Sequence, residues 1–133
     1  MNFSEYINIP YKNLGRSKEG CDCFGIIWLV FKEKRNIILP DFTDLKYTNE
    51  WYRQHENHIL ENLWDVWGVV NEPYKVYDGI IFYHEKMKVA NHIGMIIDDG
   101  KFIHVSQKFP SRVDKLNPYW RSRIYKVMRY KDA

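Results

Sequence analysis

Asp98-Asp99-Gly100 separates two runs of strand character, Asn91 to Ile97 and Lys101 to Val105. An acidic pair followed by glycine is a turn signal, because glycine takes positive φ without steric cost. This turn commits the second half of the chain to an antiparallel hairpin. It also decides which side chains share a face, since they alternate along a strand. His92 and His104 lie one on each arm. In a three-residue loop, Gly100 forms a bulge in the left-handed conformation. Ile97 then faces Lys101, Gly94 faces His104 and His92 faces Ser106. The two imidazoles share a face, on a diagonal of roughly 7–8 Å. In a two-residue loop, Asp99-Gly100, the register moves by one and the rings point to opposite faces. Two unrelated strand histidines are the plainer alternative.

Upstream, Cys23, Ile26, Ile27, Val30, Phe31 and Lys34 recur at helical spacing. Asp22 is a good N-cap, and the helix should end near Arg35, ahead of Ile37-Ile38-Leu39-Pro40. Cys23 would then open the helix. Backbone N–H groups there carry partial positive charge, which favours thiolate over thiol and can hold a developing oxyanion. A nearby histidine would complete the activation. Gly25 leaves room for a substrate or a facing strand. The same pattern also fits a buried structural cysteine at the start of a core helix.

A short helix followed by a loop fits residues 1 to 20. A second helix is expected after the cap Asn49, with Trp51, Tyr52, His55, Ile59, Leu63 and Trp64 as its stripe. Strands are expected over Ile80 to His84, Asn91 to Ile97, Lys101 to Val105 and Ile124 to Tyr130. Helices first and strands later argue for α+β with an antiparallel sheet. At 133 residues, with no repeat or linker, the expectation is a single domain spanning 1–133.

The charge balance excludes little, because the net charge is only +3. From Lys101 onward it is lopsided, with nine Lys and Arg against Asp114 and Asp132. A solvated polar face accounts for that more simply than an anionic polymer does. No signature of a nucleic-acid fold is present, so no nucleic-acid partner is expected. Cys21 and Cys23 are too close for an unstrained disulfide, which points to a reducing site of synthesis. No signal peptide is visible, and the longest apolar run, Gly25 to Phe31, is far too short to span a bilayer. Synthesis in a reducing cytoplasm, with delivery by some other route if the protein acts outside the cell, is the expectation. Cys21 and Cys23 with His55 and His58 fall short of the paired ligands of a zinc site.

Three segments together resemble the NlpC/P60 cysteine peptidases. Tyr11 ahead of a glycine-containing loop resembles the family's Pro-Tyr stretch. Gly20-Cys21-Asp22-Cys23-Phe24-Gly25 resembles its Asp-Cys-Ser-Gly nucleophile box. Asn91 through His104 is similar to its His-Val-Gly…Gly-Asp-Gly…Ile-His hairpin. A fourth segment, Tyr77-Asp78-Gly79-Ile80-Ile81-Phe82, resembles the strand start before that hairpin. The resemblance implies a papain-like α+β core, with N-terminal helices packed on an antiparallel sheet. It implies Cys23 as nucleophile, His92 as base and His104 as the third member. It implies Tyr11 beside the thiol, Asp22 by the subsite for the peptide's amino end, and Phe24 as a large apolar wall where the family has serine. Gly94, between the histidines, would leave room for the Cys23 helix end to lie on the sheet. The implied substrate is the stem peptide of peptidoglycan, with no metal or organic cofactor.

Phage proteins that resemble this family often carry an aromatic after the cysteine and continue into a helix ending near Leu-Pro, as Phe24 and Leu39-Pro40 do. That similarity implies a tail-associated wall peptidase delivered by the virion, with tail proteins as partners. Two non-peptidase readings stand beside it. A non-catalytic wall-binding or tail-assembly module would use Tyr47, Trp51, Tyr52, Trp64, Trp67, Tyr119 and Trp120 to stack on sugars. An acyl transferase acting on lipid would need an amphipathic membrane segment, and none is visible.

Overall fold

The computed structural model describes residues 2–40, 66–84 and 90–131. The expected helix after Asn49, with His55, His58 and the aromatics Tyr47, Trp51, Tyr52 and Trp64, lies outside the described residues.

Residues 1 to 20 begin with a single 3-10 turn, Ser4–Tyr6, in place of the expected short helix. The loop after it folds into a small hairpin, β1 (Arg16–Ser17) with β2 (Gly20–Cys21). The first long helix, α1, spans Gly25–Arg35 and buries Ile26, Ile27, Leu29, Val30 and Phe31. It starts two residues later than the apolar periodicity indicates. Cys23 occupies the turn just before it. Asp22 still makes the capping bond, because its Oδ1 accepts the Gly25 N–H at 2.7 Å. Asn36 stops the helix in the left-handed conformation, at φ 55.

A six-stranded antiparallel sheet fills the second half, in the order β3-β8-β4-β5-β6-β7. Its strands are β3 (Trp67–Val69), β4 (Gly79–Tyr83), β5 (Ala90–Asp98), β6 (Lys101–Ser106), β7 (Phe109–Lys115) and β8 (Ile124–Tyr130). The four strands expected from alternation are all present, each within one residue at its ends. Sequence reading missed β3 and β7. In β7, Phe-Pro-Ser-Arg-Val-Asp-Lys offers few apolar residues and includes a proline. Pro110 is tolerated because it lies in the irregularity of the β6–β7 register, between the pairs His104↔Arg112 and Ser106↔Phe109, on the outermost strand of the sheet. A short helix, α2 (Pro118–Ser122), was also missed. Its start signal is local: Asn117 accepts the Trp120 N–H at 3.0 Å, and Pro118 opens the first turn.

The β5–β6 turn corrects the three-residue loop. Asp98 pairs with Lys101, so the loop is Asp99-Gly100, with Gly100 at φ 66. An irregularity between Ile96 and Asp98 then restores the pairing Ile96↔Phe102 and Met95↔Ile103. The extra residue at Ile97 absorbs the shift. Continued along the arm, this register sets Gly94 opposite His104, so both imidazoles do share a face.

The two faces carry separate cores. Ile81, Ile93, Met95, Ile103 and Val105 join the α1 cluster. Ile80, Phe82, Ile96, Phe102 and Val127 form a smaller cluster with Leu116, against which Trp120 of α2 packs. Residues 92, 94 and 96 belong to the second face. The glycine at 94 therefore does not make room for the helix end. A Cβ there would meet Phe102 at 3.0 Å and Phe82 at 3.4 Å, so Gly94 admits the aromatics beneath the histidines.

Ser111 of β7 ties the N-terminal segment to this sheet. Its Oγ accepts the Ile9 N–H at 2.7 Å and donates to the Tyr6 carbonyl at 2.5 Å. Its backbone N–H donates to the Ile9 carbonyl, and its carbonyl accepts the Asn8 N–H. Ser111 is fully buried. Ser111→Ala should strand two buried polar groups and cost about 1–3 kcal/mol, read as a lower urea midpoint at an unchanged slope.

Candidate active site

Cys23 is positioned by a buried polar centre. Asp22 accepts from Gly25 and from the Arg16 guanidinium through Oδ1, at 2.7 and 2.9 Å, and from the Leu14 N–H through Oδ2 at 3.0 Å. These bonds clamp residues 14 to 16 onto the start of α1. The approach is close: a Cβ on Gly25 would lie 2.0 Å from the Gly15 carbonyl oxygen. Leu14 takes a positive φ of 63 to complete the loop. Tyr11 is held next to this turn by a parallel bridge to Cys21. Burial, with the neighbouring Cys23 and Asp22, raises the Tyr11 hydroxyl pKa above its ordinary value.

The two cysteines have different environments. Cys21 is buried, and its Sγ donates to the Ser17 carbonyl at 3.1 Å. Burial, then the Asp22 charge, pushes its thiol up to about 12, so it stays a thiol. Cys23 is only partly buried and lines a cleft of about 470 Å³. That volume suits a small peptide or ligand. Tyr11 and Cys23 reach the cleft from the N-terminal half. Asn91 and His92 reach it from β5, Arg112 from β7 and Trp120 from α2.

The histidines form a chain. His92 Nε2 lies 2.7 Å from His104 Nδ1, and His104 Nε2 lies 2.6 Å from Asp114 Oδ2. Arg112 Nε donates to the same Oδ2 at 2.9 Å. His104 is 0% exposed. Its ring centroid is 4.6 Å from Phe102, 4.9 Å from Phe109 and 5.0 Å from Trp120. Phe82 stacks on His92 at 5.8 Å. An apolar surround penalises a charged imidazole. Burial, helped by the His104, Arg123 and Arg112 charges, holds His92 well below its ordinary value. Burial lowers His104 to about 4, against the opposing pull of Asp114. Partial burial pushes Asp114 upward, but its bonds from His104 and Arg112 win and leave it below the usual carboxylate value. Near neutral pH both imidazoles are therefore uncharged and Asp114 is ionised.

Of the residues singled out in the sequence, the structure gathers Tyr11, Cys23 and His92 in one cleft, with His104 directly behind His92. Phe24 does not line the cleft. It is 2% exposed and packs in the α1 core, with the Arg16 guanidinium 5.4 Å above its ring. Asp22 is buried as well and does not reach the lining. Gly94 sits beneath the aromatics. Asp114 escaped sequence reading. The available signal was Arg112-x-Asp114, two charged residues at strand spacing, with Arg112 directly opposite His104.

A cysteine turn leading a helix, packed on an antiparallel sheet that carries histidines, defines the papain-like α+β class. The NlpC/P60 family model matches residues 8–129, and the chain belongs to that family. It is 27% identical over 126 residues to a probable endopeptidase of Haemophilus influenzae, covering 94% of this chain and 68% of the relative. It is 23% identical to the murein DD-endopeptidase MepS/murein LD-carboxypeptidase of Escherichia coli K12, over 96% of this chain and 58% of that protein. It is also 23% identical to the tail tip assembly protein K of Escherichia phage N15, over 84% of this chain and 46% of the relative. An NlpC/P60 family protein from Bacillus cereus ATCC 10987 superposes with a TM-score of 0.64 at 22% identity, covering 96% of this chain and 37% of that one. Thus the chain spans about half to two thirds of these curated relatives. No helix among the described residues is long and apolar enough to cross a membrane.

The lowered histidines make stability pH-dependent. Unfolded histidine takes up a proton near pH 6.5, whereas His104 in the fold does so near 4. The unfolded state therefore binds more protons between these values, so stability should fall as pH drops through that window. Urea unfolding at a series of pH values checks this, and an NMR titration should find His104 titrating near 4.

Proposed function

We propose that residues 1–133 form a cysteine peptidase domain that hydrolyses peptide bonds in peptidoglycan stem peptides. The observation that carries this reading is Cys23 and His92 lining one cleft, with His92 backed by His104 at 2.7 Å. A thiol nucleophile, an imidazole base and a group that orients the base are the parts acyl transfer needs. Because its pocket favours the neutral ring, His92 takes the Cys23 proton as the sulfur attacks the carbonyl. A resting thiolate–imidazolium pair is disfavoured there, because burial works against the charged ring. N–H groups where α1 begins, with the Tyr11 hydroxyl, stabilise the oxyanion. The His92 imidazolium then protonates the leaving amine. Water, activated by His92, releases the acyl group.

The cleft's chemistry supports an anionic peptide. Lys108, Arg112 and Arg123 line it, and no Asp or Glu among the described residues does. Stem peptides carry free carboxylates. Asn91 Oδ1 is buried with no partner among the described residues, which leaves an acceptor for a substrate N–H. The relatives named as endopeptidases support the bond class, and the tail tip assembly relative supports delivery by a virion. With Phe24 inside the core, specificity on the N-terminal side of the cleft falls to Tyr11.

Purified protein incubated with murein fragments should give cleaved stem peptides by mass spectrometry. Cys23→Ala should abolish turnover, and His92→Ala should reduce it by about 10²–10⁴-fold. A wall-binding module would instead bind murein equally well with Cys23→Ala and release nothing.

A further inference from the structure

We propose that Asp114, held by Arg112, fixes the proton positions on both buried histidines and so leaves His92 Nδ1 as the bare nitrogen offered to Cys23. This rests on Cys23 being the nucleophile, and it adds a positioning residue that acts through two imidazoles.

The argument runs inward from the carboxylate. An ionised carboxylate only accepts hydrogen bonds. His104 Nε2, 2.6 Å from Asp114 Oδ2, must therefore carry a hydrogen. A neutral imidazole carries one such hydrogen, so His104 Nδ1 is bare. The 2.7 Å contact between His104 Nδ1 and His92 Nε2 then needs its hydrogen from His92. That uses the one hydrogen of neutral His92, and its Nδ1 is left with a lone pair. The opposite arrangement would set the His104 Nε2 lone pair against a carboxylate at 2.6 Å. Burial of both rings keeps each to a single hydrogen, which makes the assignment unique.

The sheet supplies the geometry. Arg112 pairs directly with His104, and Asp114 pairs with Phe102, so residues two apart on β7 flank the imidazole on one face. Arg112 stacks on Phe109 with 3.6 Å between guanidinium carbon and ring centroid. The Phe109 ring in turn packs on His104. The guanidinium is thereby fixed where it donates to Asp114 and supplies the counter-charge. When His92 takes the thiol proton it becomes an imidazolium with a hydrogen on each nitrogen. Its Nε2–H still donates to His104, and the proton goes no further than His92. A proton added to His104 has the reverse effect. His104 Nδ1 becomes a donor, His92 Nε2 must accept, and the His92 hydrogen moves to Nδ1, which removes the base.

The test reads the tautomers directly and needs no peptide substrate. Long-range proton–nitrogen NMR of the ¹⁵N-histidine-labelled protein at pH 7 should show His104 and His92 each protonated at Nε2, with both Nδ1 nitrogens bare. Asp114→Ala, if folded, should lose the single His104 tautomer and slow Cys23 alkylation by iodoacetamide by about 10- to 100-fold, within the range a positioned base supplies. Wild-type protein with His104 protonated at Nδ1 overturns the proposal, whether or not the variant folds. So does a folded Asp114→Ala whose tautomers and alkylation rate match wild type. Correct tautomers and Asp114-dependent alkylation without cleavage of any murein fragment would support this assignment and sink only the substrate reading.

Discussion

A buried imidazole with both ring nitrogens engaged is the constraint around which the sheet is arranged. His104 is wholly enclosed by aromatic rings, and an unsatisfied polar atom in such a place costs on the order of 1–3 kcal/mol. Its two partners come from the strands on either side, His92 on β5 and Asp114 on β7. Three adjacent strands must hold one register for both bonds to form. A slip of one residue in either pairing would turn a partner to the other face. The irregularity near Ile97 acquires its meaning here, since it reconciles a tight two-residue turn with the register the histidines require.

The N-terminal half repeats this logic around a different group. Asp22 is as buried as a core residue, yet its carboxylate gathers the Gly25 and Leu14 N–H groups and the Arg16 guanidinium. The aspartate adjoining the cysteine thereby acts as a clamp, and Cys23 is presented at the cleft by a rigid turn. One polar centre fixes the sulfur and another fixes the imidazole. The packing of α1 on the sheet, through Phe31, Ile93, Ile103 and their neighbours, sets the distance between the two centres.

Much of this was legible in the sequence because it rests on local rules. The helix through Phe31 follows from apolar spacing, and the four long strands from alternation. The strand positions of His92 and His104 follow from alternation, but their shared face depends on the irregularity at Ile97 as well as on the turn. What stayed hidden depends on tertiary neighbours. Phe24 looked like a cleft wall by its place beside Cys23, but the turn before α1 rotates it into the core, where Arg16 covers it. Gly94 looked like clearance for a helix and is clearance for Phe102 and Phe82. Asp114 was invisible because β7 has the composition of a loop. Its role appears only once the edge of the sheet is known to run beside His104. Turn length is not legible in the sequence, because a bulge elsewhere can absorb a register change, and nothing in Ile96-Ile97-Asp98 announces it.

Ser111 gives the molecule a mechanical property. It fastens residues 6 to 9, which lead directly to Tyr11, onto the strand that also bears Arg112 and Asp114. The two sides of the groove are thus riveted at one hidden serine. A pull on the leading segment would reach Tyr11 on one side of the cleft and, through β7, Asp114 at the far end of the histidine chain on the other.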